Sequence, residues 1–404
     1  MKHTTFYQFM FCLLYMPCIF AQTESTGATP QLAPIEIGMT APFGGQTQDI
    51  GSQMKLGVET YFAAINAKGG VDGRKLKLTA LDDQYDPILA GQNMRQLVDN
   101  QALLAVIGNV GTPTSLVTFP VANEKKVLLF GADSGASFLR KVPTDRHVIN
   151  FRASFDDELN DIIKGLMSIG IKPTDMAFFL QNDSFGDEVY MSAVKALNAA
   201  GFTHADNLPV GRYQRNTLNV EEGLSQILQS AKSPKAIIVA ATYAPVVKFV
   251  HLTSKILPNT LYVNVSLEGI GILSRVLESD TKRFIVMQPV PYLDKSLPAV
   301  QEYQDDLKKF DVDAKPNFGS FEGYLVAKLF VMGLDDAAKK QKLTREGIID
   351  SFESMKDVDI GIGVKMTFNK EIHEALHRVW PTILRNGSFV PVEWSALKPE
   401  SEKQ

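Results

Sequence analysis

The chain has 404 residues and a formal net charge of −4, and its 45% hydrophobic and 21% charged residues make an ordinary globular mixture. That excludes a disordered chain, a collagen-like repeat and a polytopic membrane protein, and the length has room for two domains. Acids outnumber bases, 45 against 41, which argues against nucleic acid as a partner. Two cysteines, Cys12 and Cys18, are too few for a disulfide scaffold.

Lys2 gives a short positive start, and from Phe6 to Phe20 only Gln8 and Pro17 interrupt apolar residues. The run is shorter than the roughly 20 residues that span a bilayer. It ends on Ala21, so residues 1–21 read as a cleaved secretory signal. Tyr15-Met16-Pro17-Cys18 lacks the small residues of a lipidation site. Both cysteines fall inside the signal, so the exported chain has none. Residues 22–34, rich in Ser, Thr, Pro and Gly, read as a flexible leader.

Short apolar strands then alternate with segments of helical period. Ile35–Met39 is strand-like, and Met54, Val58, Phe62 and Ile65 share a helical face. Leu76–Leu81 is a second strand, and Asp86-Pro87 opens a helix with Asp as N-cap and Pro at N1. Leu103–Ile107 and Val127–Phe130 follow as compact strands. Ser154 and Asp157 fit a capping box ahead of Leu159, Ile162 and Leu166. Strands recur at Met176–Leu180, Ala236–Ala241, Leu261–Val265 and Phe284–Met287, with a helix over 185–200 closed by Gly201. Such alternation predicts an α/β fold of two lobes with parallel sheets, whose ligand sits outside the carboxyl ends of the strands.

Catalytic signatures are mostly missing. No P-loop, no GxSxG elbow and no GxGxxG after the first strand is present. His373-Glu374-Ala375-Leu376-His377 matches HExxH, which on a helix could bind zinc. The competing reading, a turn at 369–374 entering a strand at Val379–Leu384, is favoured, because only 27 residues follow His377. His147, His204 and His251 stand alone in the sequence. No metal and no cofactor is expected.

Loops after the strands look suited to binding instead. Gly108 to Ser115 lies between a strand and a helix, where hydroxyls, backbone N–H groups and the helix dipole favour a carboxylate. Gly131 to Ala136 follows the next strand in the same way. From the second lobe, Phe185 and Tyr243 could wall an apolar side chain, and Glu268 beside Gly269 could pair with an ammonium or merely decorate a helix start. Arg140, Arg212 and Arg215 read as solvated surface arginines, otherwise able to serve an acid group.

In this order the loops resemble those of the periplasmic leucine/isoleucine/valine-binding family of ABC-importer receptors. The stretches that carry the likeness are Ile35-Glu36-Ile37-Gly38-Met39-Thr40-Ala41-Pro42-Phe43-Gly44-Gly45, Ile65 to Arg74, Asp82-Asp83-Gln84-Tyr85-Asp86-Pro87, Phe151-Arg152-Ala153-Ser154, Asp183-Ser184-Phe185-Gly186 and Glu268-Gly269. The resemblance implies two Rossmann-like lobes joined by a three-strand hinge, crossing near 151–154, 287–291 and 366–369. Residues 35–151 plus 289–366 would make lobe 1, 152–288 plus 367–395 lobe 2, and 396–404 a polar tail. It also implies that Val110, Gly111 and Thr112 clasp a ligand carboxylate, that Ser134 and Ala136 assist, that Phe185 and Tyr243 lie over the ligand, and that Glu268, with Gly269, meets the ammonium. Gly111, Pro113, Ala136 and Asp133 depart from the family pattern and put a plain leucine-type ligand in doubt.

The expected function is that of an exported, monomeric, periplasmic solute-binding protein, not an enzyme. It would capture an amino acid or related small carboxylate between the lobes and deliver it to a membrane permease. Trp380 and Trp394 lie in the last 25 residues, away from these loops, which argues against a sugar. The alternatives are a ligand-sensing receptor of the same fold and a zinc hydrolase built on HExxH.

Overall fold

The computed structural model describes residues 1, 3, 32–266, 273, 277 and 283–398. The chain divides into Met1–Leu32 and Ala33–Gln404, and the fold is that of the second part. The signal and most of the leader lie outside the described residues. Among the described residues no helix is long and apolar enough to cross a membrane.

The first half alternates β1 (Ile35–Ala41), α1 (Gln48–Ala67), β2 (Leu76–Asp82), α2 (Pro87–Asp99), β3 (Leu103–Ile107), α3 (Thr112–Lys125), β4 (Leu128–Phe130) and β5 (Val148–Ile149). Its five strands form one parallel sheet in the order β2-β1-β3-β4-β5. Local chemistry starts the helices where the sequence places them. Asp86 Oδ1 accepts from the N–H groups of Ile88 and Leu89 at 2.7 and 3.3 Å, with Pro87 at N1.

The chain then passes over residues 150–154 into α4 (Phe155–Ser168). There the capping box closes both ways: Asp157 N–H donates to Ser154 Oγ at 3.0 Å and Ser154 N–H to Asp157 Oδ2 at 3.3 Å. β6 (Met176–Gln181), α5 (Ser184–Ala199), β7 (Val210–Tyr213), α6 (Glu221–Leu228), β8 (Ala236–Ala240), α7 (Tyr243–Ser254), β9 (Leu261–Asn264) and β10 (Phe284–Gln288) follow.

The chain returns to pack α8 (Pro298–Phe310) and α9 (Phe318–Lys339) on α1. After α10 (Arg345–Glu353) and the small ladder β11 (Val358–Asp359) with β12 (Lys365–Met366), it crosses once more. It ends in the hairpin β13 (Trp380–Arg385) and β14 (Ser388–Pro391). Asn386 and Gly387, at φ 49° and 71°, make the two-residue turn that such a hairpin requires. The second sheet runs β14-β13-β10-β9-β8-β6-β7, parallel from β10 to β7, with β13 and β14 antiparallel. The molecule is thus two α/β lobes with three chain crossings between them.

The tightest helix contact is that of α1 with α9. A Cβ on Gly57 would lie 2.0 Å from the Ser320 carbonyl oxygen and 2.5 Å from Tyr324 N, and one on Gly323 would lie 2.2 Å from the Met54 oxygen. The two backbones touch where the side chains are missing. This holds the last long helix against the first and so closes lobe 1 around its sheet.

Candidate functional site

Loops at the carboxyl ends of both sheets converge on a cavity of about 40 Å³. A single ordered water needs about 10–15 Å³. From lobe 1 come Ile50, Tyr85, Val110, Gly111, Thr112, Asp133 and Ser134. Arg152 comes from the first crossing, and Phe155, Phe185, Thr242 and Ser266 from the second lobe.

Two paired segments build the lobe 1 wall. Val110 forms a parallel bridge with Asp133. Asp133 N–H donates to the Asn109 carbonyl at 2.7 Å, and Gly111 N–H to the Asp133 carbonyl at 3.1 Å. Gly111 caps α3 at φ 102°, and the Thr112 and Ser134 hydroxyls meet at 2.8 Å. The first-turn N–H groups of Thr112 and Thr114 have no acceptor within the helix, and Pro113 has no N–H to offer. Donors and the positive end of the helix dipole therefore face the place where a carboxylate is expected.

Tyr85 explains the glycine at 111. A Cβ there would lie 2.3 Å from Tyr85 Cε2, and its φ suits glycine. Tyr85 is itself left-handed, at φ 59°. Asp83 fixes it by accepting from Tyr85 N–H and Thr40 Oγ1, each at 2.9 Å. Burial pushes the Asp83 carboxyl up to about 7. Gly111→Ala should therefore displace Tyr85 and cost roughly 1–3 kcal/mol; a melting temperature equal to that of the parent would contradict this packing.

A buried ionic cluster backs the cavity. Arg152 donates through Nε to Glu322 Oε1 at 2.9 Å and through Nη2 to Glu322 Oε2 at 2.6 Å. Its Nη1 lies 2.6 Å from Asp133 Oδ1 and 3.4 Å from Ser266 Oγ. Glu158 on α4 accepts from the Ser266 N–H, and from its Oγ at 2.9 Å. Burial pushes Glu158 up to about 7, against the pull of those Ser266 hydrogen bonds. Burial also raises Asp133; Arg152 opposes the shift and Glu322 adds to it.

Hydrogen bonds join the lobes beside the cavity. Gln181 Nε2 donates to Tyr85 Oη at 3.3 Å, Asn216 Nδ2 to the Gln84 carbonyl at 3.3 Å, and Ser137 N–H to Glu188 Oε2 at 2.7 Å.

Of the residues expected at the site, Val110, Gly111, Thr112, Ser134 and Phe185 line this cavity together. Ala136 does not. It is fully buried in the core cluster that includes Phe155, and its N–H turns back to Ser134 Oγ at 3.2 Å. Tyr243 is not among the lining residues either: it lies buried in the first turn of α7, and Thr242 before it reaches the cavity. Glu268 and Gly269 lie outside the described residues.

Sequence reasoning gave no role to Tyr85, Arg152, Phe155, Thr242 or Ser266. Tyr85 and Arg152 sit in quoted motif stretches, but nothing local reveals their partners. Arg140 corrects another expectation. It is no surface arginine: its side chain is 5% exposed and bonds Glu374 Oε2 at 3.0 Å. Burial lowers its pKa to about 10.

HExxH is not helical. Residues 369–379 carry a turn and isolated bridges, among them Asn150 with Glu374. His373 is buried, with Nδ1 2.9 Å from the Val148 carbonyl oxygen and Nε2 3.3 Å from Glu353 Oε1. His377 faces Asp157 Oδ2 at 3.4 Å, and this hydrogen bond raises its pKa. The two histidines therefore share no site. Asp157, Glu374 and His377 do bring donor atoms within 4.8 Å of one another, but the Arg140 charge on Glu374 opposes a metal cation there.

The periplasmic binding protein profile matches residues 34–388. Over 187 residues the chain is 28% identical to "Leu/Ile/Val-binding protein homolog 2" of Brucella abortus (strain 2308), covering 46% of this chain and 48% of that protein. The chain thus spans about half the length of the curated relatives it matches. A crystal structure described as a possible leucine/isoleucine/valine-binding protein from Rhodopirellula baltica is 36% identical, covers 92% of this chain and 99% of its own, and has a TM-score of 0.87. A branched-chain amino acid ABC transporter structure from Thermus thermophilus with bound valine shares the fold, with a TM-score of 0.77 at 17% identity over 90% of this chain and 96% of that one. With two lobes whose strand ends meet at one cavity, these matches place the chain in the type I periplasmic binding proteins of the leucine/isoleucine/valine-binding family, a family of solute-binding proteins and not of enzymes.

Proposed function

We propose that this protein captures an amino acid, or a related small carboxylate, between its lobes and delivers it to a membrane permease of an ABC importer. The observation that carries this reading is the cavity, which draws its walls from both lobes. One wall offers the N-terminus of α3 with the Thr112 and Ser134 hydroxyls, and Phe155 and Phe185 supply apolar surface. A ligand touching both walls binds the closed arrangement better than an open one and shifts the balance between them. Glu268, in the sequence just after β9, is our proposed partner for the ligand ammonium. We also take residues 35–151 plus 289–366 as lobe 1, 152–288 plus 367–395 as lobe 2, residues 1–21 as an export signal, and a monomer as the working form in the periplasm.

A thermal-shift screen over amino acids, small peptides, aromatic acids and dicarboxylates tests the reading. At 100 times its Kd, a ligand stabilises the protein by about 2.7 kcal/mol, which should appear as a rise of several degrees for at least one amino acid. A screen in which only dicarboxylates or peptides raised the melting temperature would replace the proposed ligand class.

A further inference from the structure

The cavity is electrically polarised. Its positive end is the start of α3, where Thr112 and Thr114 present N–H groups with no acceptor in the helix. Its negative end is Asp133, which the bridge to Val110 and the two backbone hydrogen bonds at Asn109 and Gly111 fix beside that helix start.

The Asp133 side chain is 10% exposed and lines the cavity. Its only side-chain partner among the described residues is Arg152, which meets Oδ1. An ionised carboxylate has about four acceptor positions, so most of this one remains unused. Nor does Arg152 belong to Asp133 alone, because two of its N–H groups are committed to Glu322. The guanidinium is thus shared with a second carboxylate, and the open acceptor positions of Asp133 can take a further cation from the cavity.

An α-amino acid carries its ammonium and carboxylate on adjacent carbons. The neighbouring Val110–Thr112 and Asp133–Ser134 segments hold the matching pair of poles side by side. We infer that Asp133 receives the ammonium of the bound amino acid and so selects amino acids over their deaminated counterparts. This rests on the amino-acid reading proposed above. It places an acid on the lobe 1 wall, independent of Glu268.

The test compares wild-type protein with Asp133→Asn by calorimetry against L-alanine, L-valine and L-leucine, and against lactate, 2-hydroxyisovalerate and 2-hydroxyisocaproate. The asparagine keeps an oxygen for Arg152, and a near-ultraviolet circular dichroism spectrum checks that the variant is folded. Losing the charged partner of a buried ammonium should weaken the best amino acid about 30-fold or more and leave the matching hydroxy acid within about threefold. Equal weakening of both ligands would mean that Asp133 only shapes the wall, and would overturn the inference. So would a variant that binds the amino acid as tightly as wild type. Wild-type protein that bound a hydroxy acid but none of the three amino acids would overturn the amino-acid reading and this inference with it, whereas wild-type binding with an indifferent variant sinks the inference alone.

Discussion

Arg152→Leu should cost about 3–5 kcal/mol, because it strands the Glu322 and Asp133 carboxyls in the interior without their counter-charge. Glu322 is 1% exposed and receives two of the guanidinium's hydrogen bonds, so it cannot turn to water. The cost arises from the partners left behind more than from the attraction lost. It follows that Arg152→Leu combined with Glu322→Leu should recover more than half of the stability, although it removes one more charge. Urea unfolding of the single and double variants measures both quantities. A single variant within about 1 kcal/mol of wild type, or a double variant worse than the single, would mean that water reaches this cluster freely.

The second large effect reverses an ordinary rule. In an open helix interior, Gly→Ala stabilises by about 0.5–1 kcal/mol, since alanine loses less chain entropy on folding. On α1, Gly57→Ala should instead destabilise by about 3 kcal/mol or more, at the upper end of overpacking costs. The new Cβ would meet the backbone of α9, at Ser320 O and Tyr324 N, and not the yielding end of a side chain. Gly91→Ala on α2 is the control, because the nearest atom there is Val117 Cγ2 at 3.8 Å. It should be neutral or stabilising. Thermal unfolding of the two variants side by side decides the matter, and equal melting temperatures would refute the close approach of α1 and α9.

These two sites also mark what a single sequence reveals. Helix starts are local, and Asp86-Pro87 and the Ser154–Asp157 box announce themselves because the donors and acceptors lie within three residues of one another. The two-lobe architecture is legible for the same reason, as strand and helix periods alternate along the chain. Loop residues immediately after strands are legible too, and Val110, Gly111, Thr112, Ser134 and Phe185 meet in one cavity. What escapes is any property set by a partner far along the chain. Arg152 meets Glu322 across 170 positions, and nothing near either residue signals the other. Tyr85 gives no hint of its left-handed backbone, or that it accounts for the glycine at 111. Ala136 and Tyr243 are not in that lining, and spacing alone does not tell which residue of a loop faces a cavity. HExxH shows the reverse error, a spacing that means zinc only on a helix and here lies on chain that carries no helix.

The hydrogen bonds between the lobes have a consequence for how dilute a solute the protein can detect. Tyr85 with Gln181, Gln84 with Asn216, and Ser137 with Glu188 involve protein groups alone. Each therefore favours the closed arrangement whether or not the cavity is filled. The apparent Kd scales inversely with the fraction of empty molecules already competent to bind. Strengthening these bonds extends the working range to scarcer solute, but on the permease reading proposed above it also makes the filled and empty molecules harder for that partner to tell apart. Two chains with identical cavities and different contacts at these rims would thus serve different nutrient regimes, and the concentration at which each responds would be set by positions that never meet the ligand.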